Sequence, residues 1–79
     1  MSLNVLFFGA TADIAGRREL KIDMPADGTA RSAFDEVLLM HPGLASHRLL
    51  FSINQKYASG SELLRDGDEL AVFTAVSGG

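Results

Sequence analysis

The sequence closes on Val76-Ser77-Gly78-Gly79. Neither glycine has a side chain to bury or to do chemistry. What these four residues are expected to offer is a slender tail and a free carboxylate that can be pushed into a narrow site on another protein. Without Cβ atoms, Gly78 and Gly79 let other backbone approach closely. Four extended residues reach at most about 14 Å. That is enough to separate a globular body from a buried reaction centre. An α-carboxyl with a pKa near ~3.5 is an anion at neutral pH and a poor electrophile. On this reading the reacting atom is the carbonyl carbon of Gly79, and it needs activation from outside.

The other candidates for chemistry are weak. There are no cysteines, which removes disulfides, thiolate metal sites, iron–sulfur clusters and a cysteine nucleophile together. His41 and His47 lie six residues apart without a matched carboxylate, a poor set for zinc. No metal site is expected. His41 is expected to interact with the C-terminal dipole of a helix. Asp66, Asp68 and Glu69 read as a polar turn, because calcium needs more oxygen ligands at regular spacing. No phosphate-binding loop of the G-x-x-x-x-G-K type is present. With no nucleophile–base pair in view, a self-contained enzyme is the least favoured class.

Seventy-nine residues make one domain with a small core. The 47% hydrophobic and 22% charged composition is that of a globular chain. A net charge of -3 without a basic cluster argues against nucleic acid and anionic membrane. The apolar runs at 5–8 and 37–40 have four residues and none is longer, far short of the ~20 that span a bilayer. No signal peptide is visible, and a cytoplasmic location is expected.

The elements follow from periodicity. Residues 3–8 predict a first strand, with Leu3, Val5 and Phe7 on one side and Asn4, Leu6 and Phe8 on the other. Residues 9–18 read as a long turn bounded by glycines. Residues 19–23 alternate strictly and predict a second strand. Thr29 is a plausible N-cap. Ala30, Ala33, Phe34, Val37, Leu38 and His41 then form one stripe of a helix that ends before Pro42. A third strand is expected within 47–54, with Leu49, Phe51 and Ile53 on one face and Ser52 and Asn54 on the other. Residues 56–58 read as a short edge strand where Lys56 is a solvated charge. The turn at 65–68 leads into a last strand over 69–75. There Leu70, Val72 and Thr74 share one side and Glu69, Ala71 and Phe73 the other. The expected class is α+β: a mixed sheet of four to five strands with one main helix packed across one face. Residues 1–75 form the domain and 76–79 a flexible tail. Asn4 and Glu69 mark the solvent side, so Phe8 and Phe73 should point away from the core. Phe7, Phe34 and Phe51 should be plain core. Clustered aromatics on an open sheet face often mark a binding site.

Four features carry a resemblance across nearly the whole chain. They are Val5-Leu6-Phe7-Phe8-Gly9, Ile53-Asn54-Gln55, Asp66-Gly67-Asp68-Glu69-Leu70 and Val76-Ser77-Gly78-Gly79. In this order they resemble the ubiquitin-like β-grasp sulfur carriers, and among these the small subunits of molybdopterin synthase. The resemblance implies a β-grasp fold and a non-catalytic, sulfur-carrying subunit. It implies that an E1-like adenylyltransferase uses ATP to adenylate Gly79. A persulfide sulfur donor protein then makes the thiocarboxylate. The tail enters the large subunit of molybdopterin synthase and gives its sulfur to cyclic pyranopterin monophosphate. No stably bound cofactor is implied. Phe8, Tyr57 and Phe73 correspond to the family's apolar docking patch, Tyr57 on the resemblance alone.

One departure bears on the pathway. The family usually has two prolines where this chain has Thr74 and Ala75. Proline fixes φ and lacks an N–H, so here the tail is less stiff and the last strand can run further. Sulfur transfer to thiamine or to tRNA therefore stays open beside the molybdopterin pathway. Two other classes also stay open: a ubiquitin-like protein modifier that forms isopeptides, and a non-covalent interaction module using only the sheet.

Overall fold

Leu3, Val5 and Phe7 are buried while Asn4 between them is exposed, so the first strand splits its two faces as the alternation requires. In the computed structural model, which describes residues 1–75, this strand is β1 (Ser2–Phe7). It pairs antiparallel with β2 (Glu19–Asp23), setting Leu3 opposite Ile22 and Val5 opposite Leu20. The expected tail, 76–79, lies outside the described residues.

The link between these strands departs from the expected long turn. It contains a short helix, α1 (Ala10–Ala15), which begins after Gly9 and ends at Gly16. Gly9 has φ 58 and ψ -127, a region only glycine enters freely. Thr11 on this helix is fully buried. Six residues are too few to display a helical period, and Ala10, Thr11 and Ala12 carry no strong apolar signal.

After β2 the chain reaches Thr29, whose hydroxyl accepts from the Ser32 N–H at 3.2 Å. That caps α2 (Ala30–Met40). Asp27 frames the same turn, accepting from the Thr29 N–H at 3.0 Å and the Ser32 hydroxyl at 2.8 Å. Ala30, Ala33, Phe34 and Val37 are buried, as the stripe predicts. The helix stops at His41, before Pro42 opens a 3-10 turn (Pro42–Ser46) that buries Leu44. His41 closes the helix through its backbone N–H, which donates to the Val37 carbonyl at 3.0 Å. Its ring meets Phe7 edge-on at 5.6 Å between centroids.

The remaining strands are β3 (Leu49–Ile53), β4 (Lys56–Tyr57) and β5 (Glu69–Thr74). The five-stranded sheet runs β2-β1-β5-β3-β4, with β1 and β5 parallel and the other neighbours antiparallel. Phe34 of α2 stacks on Phe51 of β3 at 4.4 Å and 10°. Leu3, Val5, Phe7, Val37, Leu44, Leu70 and Val72 complete that interior. One face of the sheet is therefore covered by α2, and the opposite face is left to solvent. Among the described residues, no helix is long and apolar enough to cross a membrane.

Candidate functional site

The uncovered face is built by register. Because β1 and β5 run parallel, Leu6 lies beside Ala71 and Phe7 beside Val72. Just past the end of β1, the Phe8 N–H still reaches the Val72 carbonyl at 3.2 Å, so the register extended by one step brings Phe8 level with Phe73. Antiparallel pairing then sets Leu50 opposite Phe73, Ser52 opposite Ala71, and Tyr57 opposite Ser52. Residues opposite each other share a face. The outer face thus carries one row of Phe8, Phe73 and Leu50, and a second of Leu6, Ala71, Ser52 and Tyr57. The next row, Asn4 with Glu69, is polar.

Exposure shows which members are free to meet another molecule. Phe8 is 52% exposed, Leu50 40% and Tyr57 76%. Phe73 is half-buried, with the Tyr57 ring 5.8 Å from its own. Ala71 and Ser52 are buried although they point outward. They are small, and larger side chains in both rows rise around them. The result is a low apolar floor walled by aromatics, at one end of the sheet.

Phe8 is held in that row by Thr11. The buried Thr11 hydroxyl lies 2.7 Å from the Phe8 carbonyl and 2.8 Å from the Val72 carbonyl, and it accepts from the Phe8 N–H at 3.0 Å. The Phe8 N–H also reaches the Val72 carbonyl at 3.2 Å. One hydroxyl therefore ties α1, the end of β1 and the middle of β5 together.

The same end of the sheet is where the chain leaves for 76–79. The Ala75 N–H donates to the Arg48 carbonyl at 2.9 Å, one residue beyond the Thr74–Leu49 pair. A proline at 75 has no N–H to give. Alanine at 75 thus allows one further rung of the ladder. Val76, Ser77, Gly78 and Gly79, the four tail residues singled out by the sequence, lie outside the described residues. The described residues end on the platform that leads to them.

At the opposite end the polar turn is tightly bonded. The Asp66 carboxylate accepts from the Ser2 N–H at 2.8 Å, and the Gly67 N–H donates to the Ser2 carbonyl at 2.8 Å. Gly67 has φ 84, which suits glycine. Asp68 accepts from the Asn54 amide at 3.0 Å and the Arg65 N–H at 2.8 Å. Those two bonds, the Asn54 one foremost, hold the Asp68 carboxyl below its ordinary range. This turn is structural. Among the described residues, no group of three or more histidine, cysteine, aspartate or glutamate side chains is set to hold a metal ion.

The sequence thus placed Phe8 and Phe73 on the outer face by parity, and the structure brings Tyr57 against Phe73. It missed Leu50, although Leu50 shares parity with Ser52 and the signal was present. It also missed Thr11, for which a lone threonine in a glycine-bounded link gives no signal.

Comparison with known proteins gives concordant results. The ThiS family matches residues 5–79. The molybdopterin synthase sulfur carrier subunit of Homo sapiens is 38% identical to this chain, over 98% of this chain and 93% of the relative. Small archaeal modifier protein 1 of Haloferax volcanii is 33% identical, over 91% of this chain and 94% of the relative. The crystal structure of SAMP1 from Haloferax volcanii superposes with a TM-score of 0.86 at 31% identity, covering 100% of both chains.

Proposed function

The chain belongs to the ThiS family, and from that premise we propose that it is a sulfur carrier for the synthesis of molybdopterin. Its C-terminal Gly79 is the cargo site. The carboxylate attacks the α-phosphorus of ATP on an E1-like adenylyltransferase, and pyrophosphate leaves. The outer sulfur of a persulfide donor protein then attacks the acyl-adenylate and AMP leaves; a thiol breaks the S–S bond of the resulting acyl disulfide, forming a disulfide with the donor's sulfur and releasing the carrier as a thiocarboxylate. The tail delivers that sulfur to cyclic pyranopterin monophosphate inside the large synthase subunit. The carrier supplies a handle and the partners supply acid, base and binding pocket.

One observation carries this reading: the parallel pairing of β1 with β5. It sets the apolar row Phe8, Phe73 and Leu50 at the sheet end from which the chain continues to 76–79. A protein that swallows the tail has to come down over that end. An apolar floor with aromatic walls is what it would bury. The full-length similarity to a subunit named as a sulfur carrier supports the same reading.

The test is direct. After incubation with activating enzyme, ATP and a sulfur donor, intact-protein mass spectrometry should show one oxygen replaced by sulfur, localised to Gly79. If no activating enzyme of the molybdopterin, thiamine or tRNA pathways produces that change, the proposal fails.

A second reading has a specific basis, the similarity to small archaeal modifier protein 1 over most of both chains. On that reading the activated carboxyl is transferred to a lysine amine, with loss of AMP, and an isopeptide forms. High-mass adducts in cells that vanish on deletion of Gly79 would favour it over sulfur transfer.

A further inference from the structure

The β3–β4 connection is a two-residue turn, Asn54-Gln55, and both residues have positive φ, 49 and 72. Such a turn suits the twist of a hairpin, but it favours asparagine followed by glycine. Asn54 has compensation for its left-handed backbone. Its side-chain oxygen accepts from the Glu69 N–H at 3.0 Å, and its amide donates to Asp68 at 3.0 Å. Gln55 has none. It is exposed, and among the described residues its side chain makes no hydrogen bond. A side chain with Cβ is thus kept in a conformation that glycine adopts without strain.

The location gives this strain a use. Gln55 joins Ser52, Tyr57 and Phe73 in lining a shallow depression on the outer face. It is the polar rim of the apolar floor described above. A primary amide there offers an acceptor and two donors. That set can pair with both halves of a peptide group on an incoming protein. The four residues beyond Ala75 decide which protein comes. The chain leaves at the other end of β3, past the Ala75–Arg48 rung, so a protein that grips the chain end and seats on Phe73 reaches Gln55 by extending along this face over Tyr57.

We propose that Gln55 is a docking contact: its amide, aimed by the left-handed turn, hydrogen-bonds the backbone of the protein that seats on Tyr57 and Phe73 to receive the tail. The inference rests on the docking reading above and deepens it, turning an apolar patch into an oriented one. Backbone strain at Gln55 is retained for the amide it carries.

Two substitutions separate strain from contact. Gln55→Gly should raise the thermal unfolding midpoint by about 2–6 °C, because the strain goes. It should also weaken binding to the large synthase subunit roughly tenfold in a calorimetric titration. Gln55→Glu keeps the strain and loses the amide donor. It should weaken binding comparably with no gain in midpoint. Wild-type binding left unchanged by both substitutions overturns the role of Gln55 alone. A Gln55→Gly protein no more stable than wild type overturns the strain argument. Failure of the wild type itself to bind the large subunit would instead bring down the docking reading beneath it. A wild-type dimer in sedimentation that Gln55→Gly dissociates would assign the amide to a second copy and overturn the proposal.

Discussion

The hydroxyl of Thr11 lies 2.8 Å from the carbonyl of Val72, a contact that spans 61 positions of sequence. It fixes a short helix to the strand that leads into the tail. Thr11 is fully buried, so its polar atom has to be satisfied internally. The threonine methyl fills core space and the oxygen locks backbone. Both are needed where three elements meet.

Thr11→Val keeps the shape and deletes the bonds. The Phe8 and Val72 carbonyls then lose a buried partner, at a cost of about 1–3 kcal/mol. Chemical denaturation followed by circular dichroism should show that loss. Thr11→Ser, which keeps the oxygen, should lose less. If Thr11→Val is as stable as wild type, the link is incidental.

The cap on α2 has its own expected magnitude. Thr29→Ala removes the oxygen that accepts from the Ser32 N–H, and should cost about 1 kcal/mol. Thr29→Ser should be nearly neutral. The midpoint of urea unfolding checks both, with an unchanged slope showing that only the native state was altered.

How much of this was legible beforehand depended on the kind of signal each segment carried. The strands β1, β2 and β5 alternate, and α2 has a cap, a stripe and a proline stop, so local chemistry and tertiary packing agree there. The same alternation put Phe8 and Phe73 outward. The helix α1 was read as a turn because its decisive feature is a contact from Thr11 to Val72, which no local pattern records. The 3-10 turn after Pro42 escaped for a similar reason: only Leu44 is buried in it. Tyr57 rested on resemblance because β4 has just two residues, too few to alternate. Its contact with Phe73 became visible only once strands were paired.

Acid should weaken the fold in a definite window. The Asp27 carboxyl is held below its ordinary 3.8, chiefly by the Thr29 N–H and then the Ser32 hydroxyl. Backbone N–H groups, Ser59 first, hold Glu62 below 4.5. Asp68 is lowered chiefly by Asn54. A carboxyl whose folded pKa is depressed binds its proton more readily in the unfolded chain. Its stabilisation is complete above the unfolded values and fades as pH falls through the folded ones. The unfolding midpoint should therefore stay level from neutral pH to about pH 5 and fall below it. In Asp68→Asn the fall should be shallower, since one proton-linked group is gone. An unaltered acid slope in that variant would remove Asp68 from the account.

Body and tail should separate cleanly under mutation. Phe8 is already half exposed, so Phe8→Asp should change the unfolding midpoint little. It should weaken capture by the large synthase subunit, because about 2 kcal/mol of apolar burial at the interface is lost. That corresponds to roughly a 30-fold rise in Kd. Phe73→Asp should do both kinds of damage, since Phe73 is half-buried against Tyr57. Deleting Gly78 and Gly79 should leave the midpoint unchanged and end thiocarboxylate formation altogether. Phe8→Asp should still accept sulfur at Gly79 when activating enzyme is in excess. Calorimetry with the large subunit reads the first effect and intact mass the second. If truncation leaves sulfur loading intact, or if Phe8→Asp binds like wild type, platform and tail do not divide the work in this way.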